Sequence, residues 1–114
     1  MAFTAKNRTV EKIGVIGSGQ IGPDIALYFT KVLEPHGVPV VVVDVSEQAL
    51  AAGRKKVEKK IDRGVKSKAF KTDQAERMLG NLTFTSDYST LSGASLIIEA
   101  ATEDLAIKIG RAHV

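Results

Sequence analysis

The stretches that decide the fold are IGVIGSGQIG, residues 13–22, and VVVVD, residues 40–44. In the first, a β-branched run leads into a G-x-G-x-x-G pattern, and in the second another apolar run ends in a carboxylate. That carboxylate, Asp44, follows Gly22 by 22 residues, and apolar side chains recur at helical spacing between the two stretches. The order of strand, glycine loop, helix, strand and terminal acid predicts a dinucleotide-binding βαβ unit.

Each residue type in the glycine loop, residues 17–22, suits such a ligand. Gly17 allows a sharp turn after the strand, Gly19 lets the backbone approach a pyrophosphate, and Gly22 lets the helix lie against the sheet. Backbone N–H groups at the start of the helix have no intrahelical partners and therefore suit an anion. The predicted pyrophosphate-binding residues are Gly17, Ser18, Gly19, Gln20, Ile21 and Gly22.

Two carboxylates flank this loop in the predicted unit. Asp44, at the end of the second strand, can accept hydrogen bonds from the hydroxyls of an adenosine ribose and would repel a 2′-phosphate, which predicts NAD rather than NADP. Asp24 is unexpected, because a carboxylate one turn from a pyrophosphate opposes binding unless it points outward. It can instead stabilise the helix N-terminus. The alternative for the whole motif is a tight structural turn in which Asp44 only caps the next segment.

The remaining sequence continues the alternation of strands and helices. The first helix is predicted to end at Glu34 to Gly37, and Ser46 and Thr72 are predicted to cap the second and third helices. Thr102 is predicted to cap a last helix with Glu103 and Asp104 in its first turn. Strands are predicted over residues 12–17, 38–44, 82–85 and 95–100, and the second and third helices over residues 47–63 and 72–79.

These elements predict an α/β fold, a Rossmann-like doubly wound domain whose mostly parallel sheet has the strand order 3-2-1-4 and stops after the fourth strand and its following helix. Residues 1–10 are predicted to form an N-terminal tail and residues 11–114 the domain.

Composition excludes several other classes of function. The 114 residues are 44% apolar, which suits one domain with a modest core. No cysteine is present, so thiolate chemistry and disulfides are excluded. Only His36 and His113 are available for a metal site or catalytic triad, and we therefore predict no metal ion. Without a signal-like or bilayer-spanning run, the sequence predicts a soluble cytoplasmic protein.

A basic segment, residues 54–71, concentrates the positive charge. It contains nine basic and two acidic residues and nets +7, so that the rest of the +3 chain carries −4. The segment is interpreted either as a solvated helix face with its loop or as a contact for a small polyphosphate ligand. Nucleic-acid binding is disfavoured because Phe70 is its sole aromatic residue and no groove-reading motif is present.

Beyond these patterns, the sequence resembles the NAD-binding domain of L-3-hydroxyacyl-CoA dehydrogenases over roughly residues 10–108. The resemblance is carried by KIGVIGSGQIG at residues 12–22, VVVD at 41–44, LTFTSD at 82–87, and LIIEAATEDL at 96–105 followed by Lys108. It implies NAD as cofactor and a parent protein that oxidises 3-hydroxyacyl-CoA to 3-oxoacyl-CoA in fatty-acid metabolism. Carried over, Ala101, Glu103 and Lys108 would lie beside the nicotinamide half. Coenzyme A phosphates would meet Lys60, Lys66, Ser67 and Lys68.

Simpler roles are open for several of these residues. Glu103 can be a partner of the helix dipole, Lys108 a surface lysine and Ala101 a packing residue. The sequence also departs from the family pattern, with Asp24 where glycine is usual and a longer connection between Val32 and Val38.

The family's catalytic histidine, glutamate, serine and asparagine lie further along than this sequence extends. His113 is a poor substitute base because it lies at the chain end without a visible orienting carboxylate. No catalytic residue is therefore predicted, and the chain alone is expected to bind cofactor without catalysing the reaction.

Three hypotheses are consistent with these features: the cofactor-binding part of a dehydrogenase, a free-standing nucleotide-binding module, or an interaction scaffold without enzymatic activity. Ser95 to Ile98 is expected to be an apolar sheet edge with unpaired backbone groups. A homodimer that hides this edge or the flanking helix faces is therefore predicted.

Overall fold

Four parallel strands form the centre of the structure. The structure is a computed structural model, and it describes residues 3–5, 8–100 and 106–109. The strands are β1 (Phe3–Ala5), β2 (Arg8–Val10), β3 (Ile13–Ile16), β4 (Val40–Val43), β5 (Leu82–Thr85), β6 (Leu96–Glu99) and β7 (Ala106–Ile109). The helices are α1 (Gly22–Leu33), α2 (Glu47–Lys66) and α3 (Thr72–Gly80), and short 3₁₀ turns occupy Glu34–His36 and Tyr88–Leu91. The four predicted strands and the first three predicted helices are thus present, with strands shorter by two or three residues where they differ.

The strand order in the main sheet is β5-β4-β3-β6-β7, and the first four strands are parallel. This confirms the Rossmann-like fold and the predicted order 3-2-1-4. In register, Val15 of β3 lies between Val42 of β4 and Ile98 of β6, so the carboxyl ends of these strands meet at one edge. Ligands of such sheets bind beside that edge.

The two faces of the sheet have different covers. On one face, Val40 and Val42 belong to the larger apolar core, to which all three helices contribute. On the other face, Val41 and Val43 pack with the segment around Leu91 in a smaller core. Because β4 is buried on both faces, its continuous valine run is the pattern expected of a central parallel strand.

Helix ends follow local sequence signals, with one correction. The 3₁₀ turn after α1 ends at Gly37, whose φ of 64° lies in the left-handed region. The Ser46 side chain accepts a hydrogen bond from the Ala49 N–H, which confirms the predicted cap of α2. The prediction that Thr72 caps α3 was wrong, because Thr72 is the first helical residue and Lys71 holds the cap position. The Gln74 side chain accepts from the Lys71 N–H there.

The segment after β6 differs from the predicted helix. Residues 106–109 form β7, which pairs antiparallel with β6, from Leu96 opposite Ile109 to Glu99 opposite Ala106. The predicted cap Thr102 and first turn, Glu103 and Asp104, lie outside the described residues. The prediction that Ser95 to Ile98 form an exposed sheet edge was also wrong, because β7 supplies the backbone partners that this edge of β6 requires.

The N-terminal segment, predicted as a tail, contains a small two-stranded sheet. Strands β1 and β2 pair antiparallel, with Phe3 opposite Val10 and Ala5 opposite Arg8. Among the described residues, each helix is too short or too polar to cross a bilayer.

Candidate nucleotide-binding site

The glycine loop follows β3 at the carboxyl edge of the sheet, and a backbone hydrogen bond to β4 holds its first residue there. The Gly17 N–H donates to the Val43 carbonyl of the neighbouring strand at 2.8 Å. Gly17 has a φ of 106°, a conformation that side-chain-bearing residues rarely adopt. The sharp turn predicted at Gly17 is therefore present and requires glycine.

Gly22 and Gly19 serve the loop in different ways. A Cβ built on Gly22 would overlap the Gly17 carbonyl oxygen, so the start of α1 can approach the end of β3 only without a side chain. A Cβ on Gly19 would have open space within 4 Å. Gly19 is exposed, as are Gln20 and Ile21, so this part of the loop faces solvent where a ligand can approach.

Asp44 directly follows β4, and its side chain accepts hydrogen bonds from the glycine loop and from the segment after β4. Its Oδ2 accepts from the Ser18 N–H and its Oδ1 from the Ser46 N–H, both at 2.9 Å. A carboxylate has about four acceptor positions, so positions remain for two ribose hydroxyls. Asp44 therefore holds the loop in place and caps the next segment. This capping role is compatible with the predicted binding of the ribose.

Helix α2 packs against the back of the glycine loop. The Ser18 side chain is buried, and its hydroxyl donates to the Ala49 carbonyl at 2.8 Å. One turn later, a Cβ on Gly53 would overlap the Ser18 Oγ and lie 2.9 Å from Pro23 Cγ. The close approach of α2 therefore depends on glycine at position 53.

Gly53→Ala should destabilise the protein, although alanine normally stabilises a helix interior relative to glycine. Because the added methyl group overlaps Ser18, we expect a loss of about 1 to 2 kcal/mol in the free energy of unfolding. The measurement is thermal and urea denaturation, with Gly80→Ala as the control because its Cβ would meet open space. Equal stability of the two variants would contradict this packing.

Asp24 lies in an ion cluster with two lysines of α2. Its Oδ1 accepts from Lys60 Nζ at 2.6 Å and its Oδ2 from Lys56 Nζ at 3.2 Å. The hydrogen bond from Lys60 is the largest cause that lowers the pKa of Asp24, and Lys56 lowers the pKa further. Asp24 is therefore ionised at neutral pH, but the two lysines outweigh its charge, so the cluster carries net positive charge beside the loop. The negative charge of Asp24, which by itself would oppose binding of a pyrophosphate, is therefore compensated by the two lysines.

The residues predicted for the nicotinamide half are only partly described. Ala101 and Glu103 lie outside the described residues, and Lys108 lies in β7. The Ala100 N–H donates to the Ile16 carbonyl at 2.7 Å, which places the end of β6 beside the start of the glycine loop.

The residues predicted for coenzyme A lie along the second half of α2 and just after it. Lys60 contacts Asp24, whereas Lys66 forms an ion pair with Asp62 at 3.0 Å on an exposed helix face. Lys68 follows the helix with a left-handed φ of 66°. The exposed Ser67 hydroxyl donates to the Gly64 carbonyl. A pocket beside Lys60 is lined by Asp24, Leu27, Tyr28, Lys31, Lys60 and Phe70.

Sequence reasoning missed the residues of α2 that support the loop. Ala49, Gly53 and Lys56 contact the loop or α1, but each belongs to an ordinary helical pattern in the sequence. The available signals were weak: a glycine inside a helix indicates a close packing contact, and lysines at i and i+4 share a face opposite an unexplained aspartate.

This fold and site define a Rossmann-like dinucleotide-binding domain. Residues 12–110 match the family described as 3-hydroxyacyl-CoA dehydrogenase, NAD binding domain. The chain belongs to this family, and the cofactor of the domain is NAD.

Individual relatives agree with this assignment. A 3-hydroxybutyryl-CoA dehydrogenase of Mycobacterium tuberculosis is 38% identical over 99 residues, which cover 87% of this chain and 33% of that protein. A fatty acid oxidation complex subunit alpha of Shewanella frigidimarina is 33% identical over 101 residues, which cover 89% of this chain and 14% of the relative. The chain thus spans about a third or less of these relatives.

Solved structures show the same similarity. The (S)-3-hydroxybutyryl-CoA dehydrogenase of Ralstonia eutropha matches with a TM-score of 0.74 and 29% identity, over 83% of this chain and 32% of that one. The 3-hydroxybutyryl-CoA dehydrogenase of Escherichia coli matches with a TM-score of 0.72 and 33% identity, over 83% of this chain and 19% of the other. The domain is similar to the N-terminal NAD-binding part of these enzymes.

Proposed function

We propose that this chain binds NAD through the glycine loop and Asp44. The pyrophosphate lies against the glycine loop, residues 17–22, and accepts from backbone N–H groups of residues 19–22, because the N–H groups of Gly17 and Ser18 already donate to Val43 and Asp44. The adenosine ribose donates to Asp44. The observation that carries this proposal is the Asp44 carboxylate, held 2.9 Å from the Ser18 N–H at the carboxyl edge of the sheet. A fixed carboxylate in that position accepts ribose hydroxyls and repels a 2′-phosphate, which favours NAD over NADP.

The parent reaction is proposed from the same assignment. We infer that the domain serves NAD-dependent oxidation of 3-hydroxyacyl-CoA to 3-oxoacyl-CoA, as the names of its relatives suggest. Ala101, Glu103 and Lys108 lie beside the nicotinamide half in this proposal, and the chain alone binds cofactor without catalysing hydride transfer. The alternative is a free-standing nucleotide-binding module or a dimeric interaction scaffold. For each of these functions we propose a cytoplasmic location, which the cysteine-free sequence favours.

The NAD site is tested by following backbone amides of the ¹⁵N-labelled chain during titration with NAD. We expect the largest resonance shifts at residues 17–22, Asp44 and Ser46, with β5 unchanged as an internal control. Shifts confined to the basic segment, with none at the glycine loop, would contradict the proposed site.

Coenzyme A binding is proposed along the second half of α2 and its following loop. Lys60, Lys66, Ser67 and Lys68 would contact its phosphates, because ammonium and hydroxyl groups are suitable donors to phosphate oxygens. Titration with coenzyme A should shift the amides of these residues, and dephospho-coenzyme A should shift them less. Equal responses to both compounds would contradict recognition of the 3′-phosphate.

A homodimer is also proposed, through a helix face rather than the sheet edge. Strand β7 covers the edge of β6 that was expected to pair, whereas α1 leaves Tyr28 and Val32 about half exposed, at 58% and 47%. These two side chains are four residues apart and share one face of the helix. We expect size-exclusion chromatography with light scattering to give a dimer, and Val32→Glu to shift it toward monomer. A monomer at high micromolar concentration would contradict this proposal.

A further inference from the structure

Lys56 of α2 reaches the glycine loop although it lies 36 residues away in sequence. Its Nζ donates to the Gln20 carbonyl at 2.9 Å and to Asp24 Oδ2 at 3.2 Å. The side chain is 37% exposed, so the ammonium group lies at the rim of the loop. Neither the glycine-loop motif nor the basic segment assigns a role to this pair of contacts.

The contact to Gln20 fixes the orientation of a peptide group. In a trans peptide, the carbonyl of one residue and the N–H of the next point in opposite directions within one plane. Cis bonds are absent from the described residues, so a Gln20 carbonyl held toward Lys56 directs the Ile21 N–H to the opposite side. Ile21 is the residue that precedes α1, and its N–H belongs to the donors that helix starts offer to anions.

Asp24 keeps the Lys56 ammonium in this position. An exposed lysine has many conformers, and one acceptor restricts it less than two acceptors do. The Gln20 carbonyl and the Asp24 carboxylate supply two acceptors to Lys56, while Lys60 fixes the other carboxylate oxygen. The arrangement also prevents the Gln20 carbonyl from turning toward a bound anion, where its partial negative charge would oppose binding.

We propose that Lys56 is a positioning residue for the dinucleotide: it holds the Gln20–Ile21 peptide so that the Ile21 N–H faces the pyrophosphate, and Asp24 holds Lys56. The inference rests on the proposed NAD site. In that site, Lys56 acts through the backbone of the loop rather than by touching the phosphates. The role of Asp24 is thus to hold Lys56, although a carboxylate in the first turn of α1 would by itself disfavour binding of an anion.

The experiment compares Lys56→Met with Lys59→Met, an exposed lysine on the same helix, by calorimetric titration with NAD at 0.05 and 0.5 M salt. Methionine keeps the aliphatic stem but removes the donor. We expect Lys56→Met to weaken NAD binding by about 5- to 20-fold at both salt concentrations, given the contribution of charged hydrogen bonds. Its Ile21 amide resonance should also shift in the ligand-free protein, whereas Lys59→Met should leave both properties unchanged.

Three results would overturn the inference. NAD affinity of Lys56→Met within twofold of the unmodified chain excludes a positioning role. A loss that disappears at 0.5 M salt indicates simple charge attraction, because salt screens exposed charges but not a fixed peptide orientation. An unmoved Ile21 amide resonance in Lys56→Met excludes control of that peptide. Failure of the unmodified chain to bind NAD would instead refute the proposed function, and this inference with it, so the two failures are distinguishable.

Discussion

Asp44→Asn is expected to weaken NAD binding by about tenfold and to reduce the preference for NAD over NADP by at least about tenfold. The substitution removes the negative charge that repels a 2′-phosphate and one acceptor at the ribose. Asparagine keeps one side-chain oxygen, so the Ser18 N–H retains its acceptor and the loop remains folded, whereas the exposed Ser46 N–H loses its side-chain acceptor. The measurement is the dissociation constant of each cofactor by calorimetric titration.

Asp24→Asn is the matched control, because it also removes one negative charge near the loop. Asp24 lies in α1 and pairs with lysines of α2, so it has no part in recognition of the ribose. We expect its ratio of NAD to NADP affinity to equal that of the unmodified chain. An equal change of this ratio in both variants would show that general charge, rather than the position of Asp44, determines cofactor choice.

Gly22→Ala and Gly19→Ala should separate folding from binding. The Gly22 methyl group would overlap the Gly17 carbonyl oxygen, so we expect a loss of about 2 to 4 kcal/mol in the free energy of unfolding and no NAD binding. The Gly19 methyl group meets open space in the ligand-free protein, so its stability should be unchanged. Because that methyl group enters the space predicted for the pyrophosphate, NAD binding should fall by at least about tenfold.

Denaturation and calorimetric titration of both variants check this pair of results. Normal stability of Gly22→Ala would contradict the close approach of α1 to β3. Unchanged NAD affinity in Gly19→Ala would place the pyrophosphate away from the glycine loop.

Local patterns were sufficient for most of the fold. The valine run of β4 is buried on both faces, as its lack of polar alternation predicted, and its terminal Asp44 lies beside the glycine loop. Ser46 caps α2 because its hydroxyl and the Ala49 N–H are three residues apart, a spacing that the sequence shows directly. The four-strand order followed from the family pattern and from the alternation of elements.

Contacts between distant residues could not be read in the same way. Lys56 and Gln20 meet only because α2 packs across the glycine loop, and no periodicity in either segment encodes that meeting. The four residues of β7 are too few to separate a strand from a helix turn by pattern, and their pairing with β6 determines the outcome. Thr72 had the residue type of a cap, but the Gln74 side chain bonds the preceding Lys71 N–H instead.

Calorimetric titration of the unmodified chain with NAD and NADP is the decisive measurement of NAD binding at the glycine loop. We expect saturable binding of one NAD per chain, at least about tenfold weaker binding of NADP, and at least about tenfold weaker binding of NAD in Gly19→Ala. No heat of binding at millimolar NAD, from a chain that circular dichroism and thermal denaturation show to be folded, would contradict NAD binding at this loop.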